Sequence, residues 1–201
     1  MCYHCAMQFK KIGSFLWETF KLALISLLVI LPIRYFLVEP FFVLGASMEP
    51  NFQNGDYLVI DEISYLTGNP ARGDVVVFQY PHNPRECQNI VYQFTHSKDC
   101  PYYIKRVIAM PGESIAIDDK GILIKNAEKP NGFFLEEKYL PNNNKETYGN
   151  VSMELGHNEY FVMGDNRSHS SDSRLWGPLP RSFMSGKVLM RAFPFDKAQV
   201  F

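Results

Sequence analysis

No charge-free run in this 201-residue chain is long enough to cross a bilayer as a helix unaided. The longest, Leu22 to Ile33, has twelve residues, where about 20 are needed. An excess of either charge is missing too. Lys and Arg number 20 against 21 Asp and Glu, for a formal net charge of -1, which excludes the basic footprint of a nucleic-acid binder. Cysteine is sparse, at Cys2, Cys5, Cys87 and Cys100. Cys2 and Cys5, with His4 between them, supply half a zinc site, and with no second pair nearby they read as free thiols. Asp118-Asp119 offers no metal site that can be defended, and the chain contains no internal repeat. Neither a metal nor a cofactor is expected.

Aromatics, by contrast, are plentiful. They make up 14% of the chain, with 16 Phe and 11 Tyr, which suits a β-rich body with an apolar surface. Strand-like stretches run from Phe41 to Leu44, Tyr57 to Ile60, Asp74 to Tyr80, Tyr102 to Met110, Ser114 to Ile117, Gly121 to Lys125, Glu159 to Met163 and Lys187 to Phe193. Turn formers separate them at Asn54-Gly55, Pro111-Gly112, Asp119 to Gly121 and Asn131-Gly132, so the fold class is mainly β, with a compact all-β body. Insertions are expected near residues 81–101 and 138–150, the second polar and mobile around Pro141-Asn-Asn-Asn.

The body carries an N-terminal appendage. Extending the Leu22 to Ile33 run forward through Tyr35, Phe36, Leu37 and Val38, or backward through Phe20, Trp17, Leu16 and Phe15, reaches spanning length if Lys21 and Arg34 snorkel towards the headgroups. Residues 15–38 are therefore expected to form a transmembrane helix after a tail of residues 1–14, with the β body in residues 39–201. A buried core helix and a cleaved signal peptide are the alternatives. Pro32 favours the first, while cleavage would strip the lead-in to Ser47. Lys10, Lys11 and Lys21 precede the run and Arg34 follows it, a bias that puts the N terminus in the cytoplasm. Everything after about Val38 then lies outside, where Cys87 and Cys100 can form a disulfide while Cys2 and Cys5 stay reduced. Such a bridge closes a long hairpin loop and contributes roughly 3 kcal/mol on a chain-entropy basis.

Chemistry concentrates in three segments: GASMEP at Gly45 to Pro50, YIKRVIAMPGE at Tyr103 to Glu113, and GDNRSHSSDSRLWGPLP at Gly164 to Pro180. A serine hydroxyl needs a base within hydrogen-bond reach. A lysine qualifies only when burial makes its ammonium shed a proton readily. Lys105 lies in an apolar strand-like run, with Arg106 facing the other way. A neutral amine beside Ser47 satisfies both needs. Singly, Ser47 reads as a turn residue and Lys105 as a snorkelling surface residue, and only the joint occurrence of the segments points to chemistry.

In this order the three segments resemble the bacterial type I signal peptidases, membrane-bound Ser/Lys proteases that remove signal sequences from exported proteins. The resemblance runs from about Arg34 to the end and includes RGDVVVF at Arg72 to Phe78. It implies Ser47 as nucleophile and Lys105 as general base, with Ser170 as the serine that hydrogen-bonds and orients the lysine. Asp172 and Arg174 match a supporting ion pair, and Asp165, Asn166 and Arg167 a scaffold for the loop. Gly45 stands where many Gram-negative members have an oxyanion-hole serine, although Gram-positive-like members also have Gly there. That leaves the Ser47 N-H with an unidentified second donor.

A substrate extended beside Phe41 to Leu44 sends alternate side chains into the wall. By position, Met48, Phe52, Tyr103 and Ile104 resemble the lining of the family's first pocket, and Phe41, Val43 and Ile104 that of the third, both suited to small residues. The implied partners are signal peptides of secreted preproteins, the lipid bilayer and the protein export machinery, at the bacterial cytoplasmic membrane. Two other classes fit less well. Self-cleaving repressors share the dyad but carry a DNA-binding module, which nothing before Ser47 resembles. A non-catalytic membrane-anchored binder has no reason to keep Ser47, Lys105 and Ser170 together.

Overall fold

In the computed structural model of the chain, the described residues are 15–29, 39–81, 87, 100–141 and 149–201. The expected tail with Cys2 and Cys5, the second part of the expected span (30–38) and most of both expected insertions lie outside them. Two compact units are distinguished, Met1–Glu39 and Pro40–Phe201.

In the first unit, residues 15–29 form helix α1. Its side chains are exposed, Phe15 at 69% and Leu28 at 68%, and Lys21 sits over the Trp17 ring, 5.6 Å from its centroid. At 1.5 Å per residue these fifteen residues reach about 22 Å, short of the roughly 30 Å of a hydrocarbon core. Among the described residues, no helix is long and apolar enough to cross a membrane.

The second unit is built of antiparallel strands. In chain order they are β1 (Glu39–Phe42), β2 (Tyr57–Asp61), β3 (Val75–Gln79), β4 (Tyr102–Ala109), β5 (Ser114–Asp118), β6 (Gly121–Lys125), β7 (Phe133–Phe134), β8 (Val151–Glu154), β9 (Glu159–Met163), β10 (Leu179–Pro180), β11 (Met184–Phe193) and β12 (Gln199–Val200). Among the described residues two short α-helices join them, α2 (Ile63–Thr67) and α3 (Ser173–Trp176). An eight-stranded sheet runs β1-β2-β11-β3-β4-β9-β10, with β12 on β11, and a smaller one runs β7-β6-β5-β8.

Alternation of side chains sorts the core. All five residues of β3 are buried, so this central strand has a core on both faces. Val75 and Val77 join Val43, Met48, Phe52, Leu58, Ile60, Ile104 and Val188 on one side. Val76 and Phe78 join Val107, Tyr160, Val162 and Leu179 on the other. A register shift between Val107 and Ala109 then hands Ile108 and Ala109 to a third cluster, with Ile115, Ile117, Ile122 and Ile124 of the small sheet. Pairing of Val76 with Lys105 and of Phe78 with Tyr103 fixes which face the lysine occupies.

The expected strand at Phe41 to Leu44 is displaced: β1 ends at Phe42 because Gly45, at φ +95°, turns the chain. Val43 still donates to the Asp56 carbonyl at 2.9 Å. Strands β7, β8, β10 and β12 were not anticipated, being too short for a readable period. Cys87 and Cys100 are joined by a disulfide across 13 positions, and the buried Gln79 Nε2 donates to the Cys87 carbonyl at 3.0 Å.

Candidate active site

Ser47 lies in the turn between β1 and β2, and that turn is held at each residue. The Gly45 N-H donates to Asn54 Oδ1 at 2.9 Å, the Asn166 Nδ2 to the Ala46 carbonyl at 3.0 Å, and the Asn166 N-H to the Ser47 carbonyl at 3.0 Å. Since the Gly45 N-H is committed to Asn54, it does not serve as the missing oxyanion donor.

Lys105 reaches this turn from β4. Its Nζ lies 2.7 Å from Ser47 Oγ and donates to the Ile104 carbonyl at 2.9 Å. Only 4% of the residue is exposed. Burial depresses its pKa from 10.5 to about 8, against the pull of Asp172 and Asp165, which favour the charged form. The Tyr103 ring, 5.5 Å away, also favours the ammonium. Desolvation outweighs these attractions, so a neutral amine is accessible near neutral pH.

The loop from Gly164 to Arg174 closes the site. Gly164 passes so close that a Cβ there would lie 2.2 Å from Ser170 Oγ and 2.4 Å from the Ser47 carbonyl oxygen. Ser170 Oγ is buried and makes no well-formed hydrogen bond among the described residues, its polar neighbour being the Asp172 carboxylate. The expected bond from Ser170 to the lysine is not made in this arrangement, because the close contacts of Nζ are Ser47 and Ile104. Asp172 pairs with Arg174 at 2.8 Å, accepts the Gly164 N-H at 3.0 Å and caps α3. Burial raises the Asp172 pKa, but Arg174, the Gly164 N-H and the Ser170 hydroxyl together outweigh it and hold the carboxyl below its usual range.

Residues 16–193 match the family model described as Signal peptidase, peptidase S26. The chain belongs to this family. It is 33% identical to the Probable signal peptidase I-1 of Synechocystis sp. over 92% of this chain and 86% of that protein. It is 34% identical to Signal peptidase I T of Bacillus subtilis over 94% and 90%. A solved signal peptidase I from Enterococcus faecalis aligns at 24% identity and TM-score 0.41, covering 59% of this chain and 96% of that one, a likeness too loose to bear on the fold.

The pocket residues expected of a signal peptidase divide between two faces. Phe41, Val43, Met48, Phe52 and Ile104 lie together in one apolar cluster. Tyr103 packs on the opposite face, against the cluster containing Phe78. Phe52 is fully enclosed, with its ring 4.8 Å from that of Phe201.

Asp165 and Arg167 were expected as scaffold of this loop, but their side-chain partners were not. Asp165 holds Arg106 through two bonds of 2.8 and 2.7 Å and also accepts from Asn51 at 2.8 Å. Arg167 donates to the Gly164 carbonyl at 3.0 Å and pairs with Glu137. The Arg106 guanidinium lies 4.0 Å from the centroid of the Tyr139 ring. Glu137 and Tyr139 come from FFLEEKYL at residues 133–140, where no periodicity or motif marks them.

Proposed function

We propose that this chain is a membrane-anchored serine endopeptidase that cleaves N-terminal signal peptides from exported preproteins after small residues, with Ser47 as nucleophile and Lys105 as general base. The observation that carries the reading is the 2.7 Å approach of the buried Lys105 Nζ to Ser47 Oγ. Family membership and the likeness to signal peptidases I supply the substrate class.

A neutral lysine amine has one lone pair and two N-H bonds. The lone pair accepts the Ser47 proton as Oγ attacks the scissile carbonyl. One N-H is directed to the Ile104 carbonyl, and the remaining one suits Ser170 Oγ, buried beside Gly164. The Ser47 N-H faces the developing oxyanion. Lys105 then passes its proton to the leaving amine, and in the second half-reaction it takes one from the water that hydrolyses the ester.

Substrate recognition follows from β1, which ends the order of the large sheet and offers an edge to an extended peptide. Phe41, Val43, Met48 and Ile104 form its wall, with Phe52 behind and Tyr103 beside the amine. Asp172 and Arg174 brace the loop. Residues 15–38 anchor the enzyme in the bacterial cytoplasmic membrane with the N terminus inside, and residues 39–201 work outside, where preproteins emerge from the export machinery. The exposed apolar side chains of α1 support this anchor.

Substitution tests the dyad. Ser47→Ala and Lys105→Ala should each fold and cleave a preprotein near background, because nucleophile and base act as a unit. Lys105→Arg should fail as well, since a guanidinium stays protonated. Near wild-type cleavage by Lys105→Ala would remove the lysine from the mechanism.

A further inference from the structure

We propose that Asn51 is a positioning residue of the dyad, tying the Ser47 turn to the ion pair beside Lys105; this rests on the Ser47 and Lys105 roles proposed above. Asn51 follows Ser47 by four residues and spends its amide on two other segments. Its Nδ2 donates to Asp165 Oδ2 at 2.8 Å and to the Tyr139 carbonyl at 3.0 Å. Its own carbonyl accepts from Arg191 Nη1 at 2.9 Å, and the same nitrogen pairs with Asp56 Oδ2 at 2.9 Å. Backbone and side chain are therefore both clamped.

The far end of this connection is the base strand. Asp165 is fully buried, and its two bonds to Arg106 fix the residue that follows Lys105. The flanking Asn166 N-H donates to the Ser47 carbonyl, and Gly164 lies too near that oxygen to admit a Cβ. Asn54 braces the turn only from within, through the Gly45 N-H. Asn51 instead joins the nucleophile's turn to the base's strand with a bond to a charged acceptor. A proton passed across 2.7 Å depends on such registration, because small misplacements of reacting groups are costly in rate.

Two variants separate positioning from mere filling of space. Asn51→Asp keeps the shape but turns both donors into acceptors facing Asp165 and the Tyr139 carbonyl. Asn51→Leu keeps the bulk without polarity. The full chain in detergent is assayed on a preprotein for kcat and KM, with melting followed by circular dichroism, and Asn51→Ser replaces either variant if it fails to fold. Both folded variants should lose about ten-fold or more in kcat with KM within about two-fold of wild type, as expected for a lost charge-assisted bond acting on the reacting groups alone. A folded variant with wild-type kcat, or a loss confined to KM, would overturn the inference. Wild type and Ser47→Ala in the same assay keep the two ideas apart. If wild type cleaves, Ser47→Ala does not, and the Asn51 variants keep wild-type kcat, only the role of Asn51 falls.

Discussion

As the proposed base, Lys105 would serve chemistry at the expense of the fold. Its folded pKa of about 8 lies below its ordinary 10.5, so between these values the unfolded chain binds more protons and stability rises with pH. Below about 8 the full penalty applies. Lys105→Met should therefore be more stable than wild type near pH 6 by on the order of 3 kcal/mol, with the gap closing towards pH 10.5, as chemical denaturation at several pH values would show. Activity should move the opposite way to protonation, climbing through about pH 8 as the amine becomes neutral. A rate profile already flat from pH 6 upward would contradict a lysine base. Gly164 is just as exposed to test. A methyl at this position collides with Ser170 Oγ and the Ser47 carbonyl, so Gly164→Ala should lose on the order of 100-fold in kcat by displacing the nucleophile.

At the scale of elements, the loop from Gly164 to Arg174 is held to β4 by charge. Arg106 and Asp165 pair at 2.7 Å with side-chain exposures of 11% and 0%. Arg106→Met leaves a buried carboxylate without its main partner and should cost about 3 to 5 kcal/mol, measured by urea unfolding. A loss under about 1 kcal/mol would mean the pair behaves like a surface ion pair. The long strands were legible because their alternation is strong: β3 to β6 and β9 fall within a residue or two of the expected stretches. The turn at Gly45, Ser47 and Lys105 were legible through residue type and order. The partnership of Arg167 with Glu137, 30 positions apart, was not, because a buried ion pair leaves no period in the sequence. Nor was the partnering of Ser170, which rotamer and packing decide. The split of the pocket set was readable in principle, since neighbouring Tyr103 and Ile104 must face opposite sides of a strand.

For the molecule as a whole, the body from Pro40 to Phe201 forms its own compact unit, and the proposed dyad of Ser47 and Lys105 lies within it. Deleting residues 1–33 should yield a folded, partly active domain that remains sticky, because Phe42, Leu44, Phe193 and Phe195 expose 50% or more of their surface. Protease added to intact spheroplasts should digest the body and spare the N terminus if the charge bias sets topology. The bridge between Cys87 and Cys100 should survive in membrane-isolated protein, as an oxidising compartment allows. Finding free thiols at both positions would place the body inside the cell. Cleavage of a preprotein is the property on which the proposed function stands. Full-length protein purified in detergent is incubated with a preprotein, and the product is sequenced from its N terminus. Wild type should release one mature chain cut directly after a small residue, and Ser47→Ala should leave the preprotein intact. An uncut preprotein with wild type, or the same product from Ser47→Ala, would contradict the proposed activity or the nucleophile.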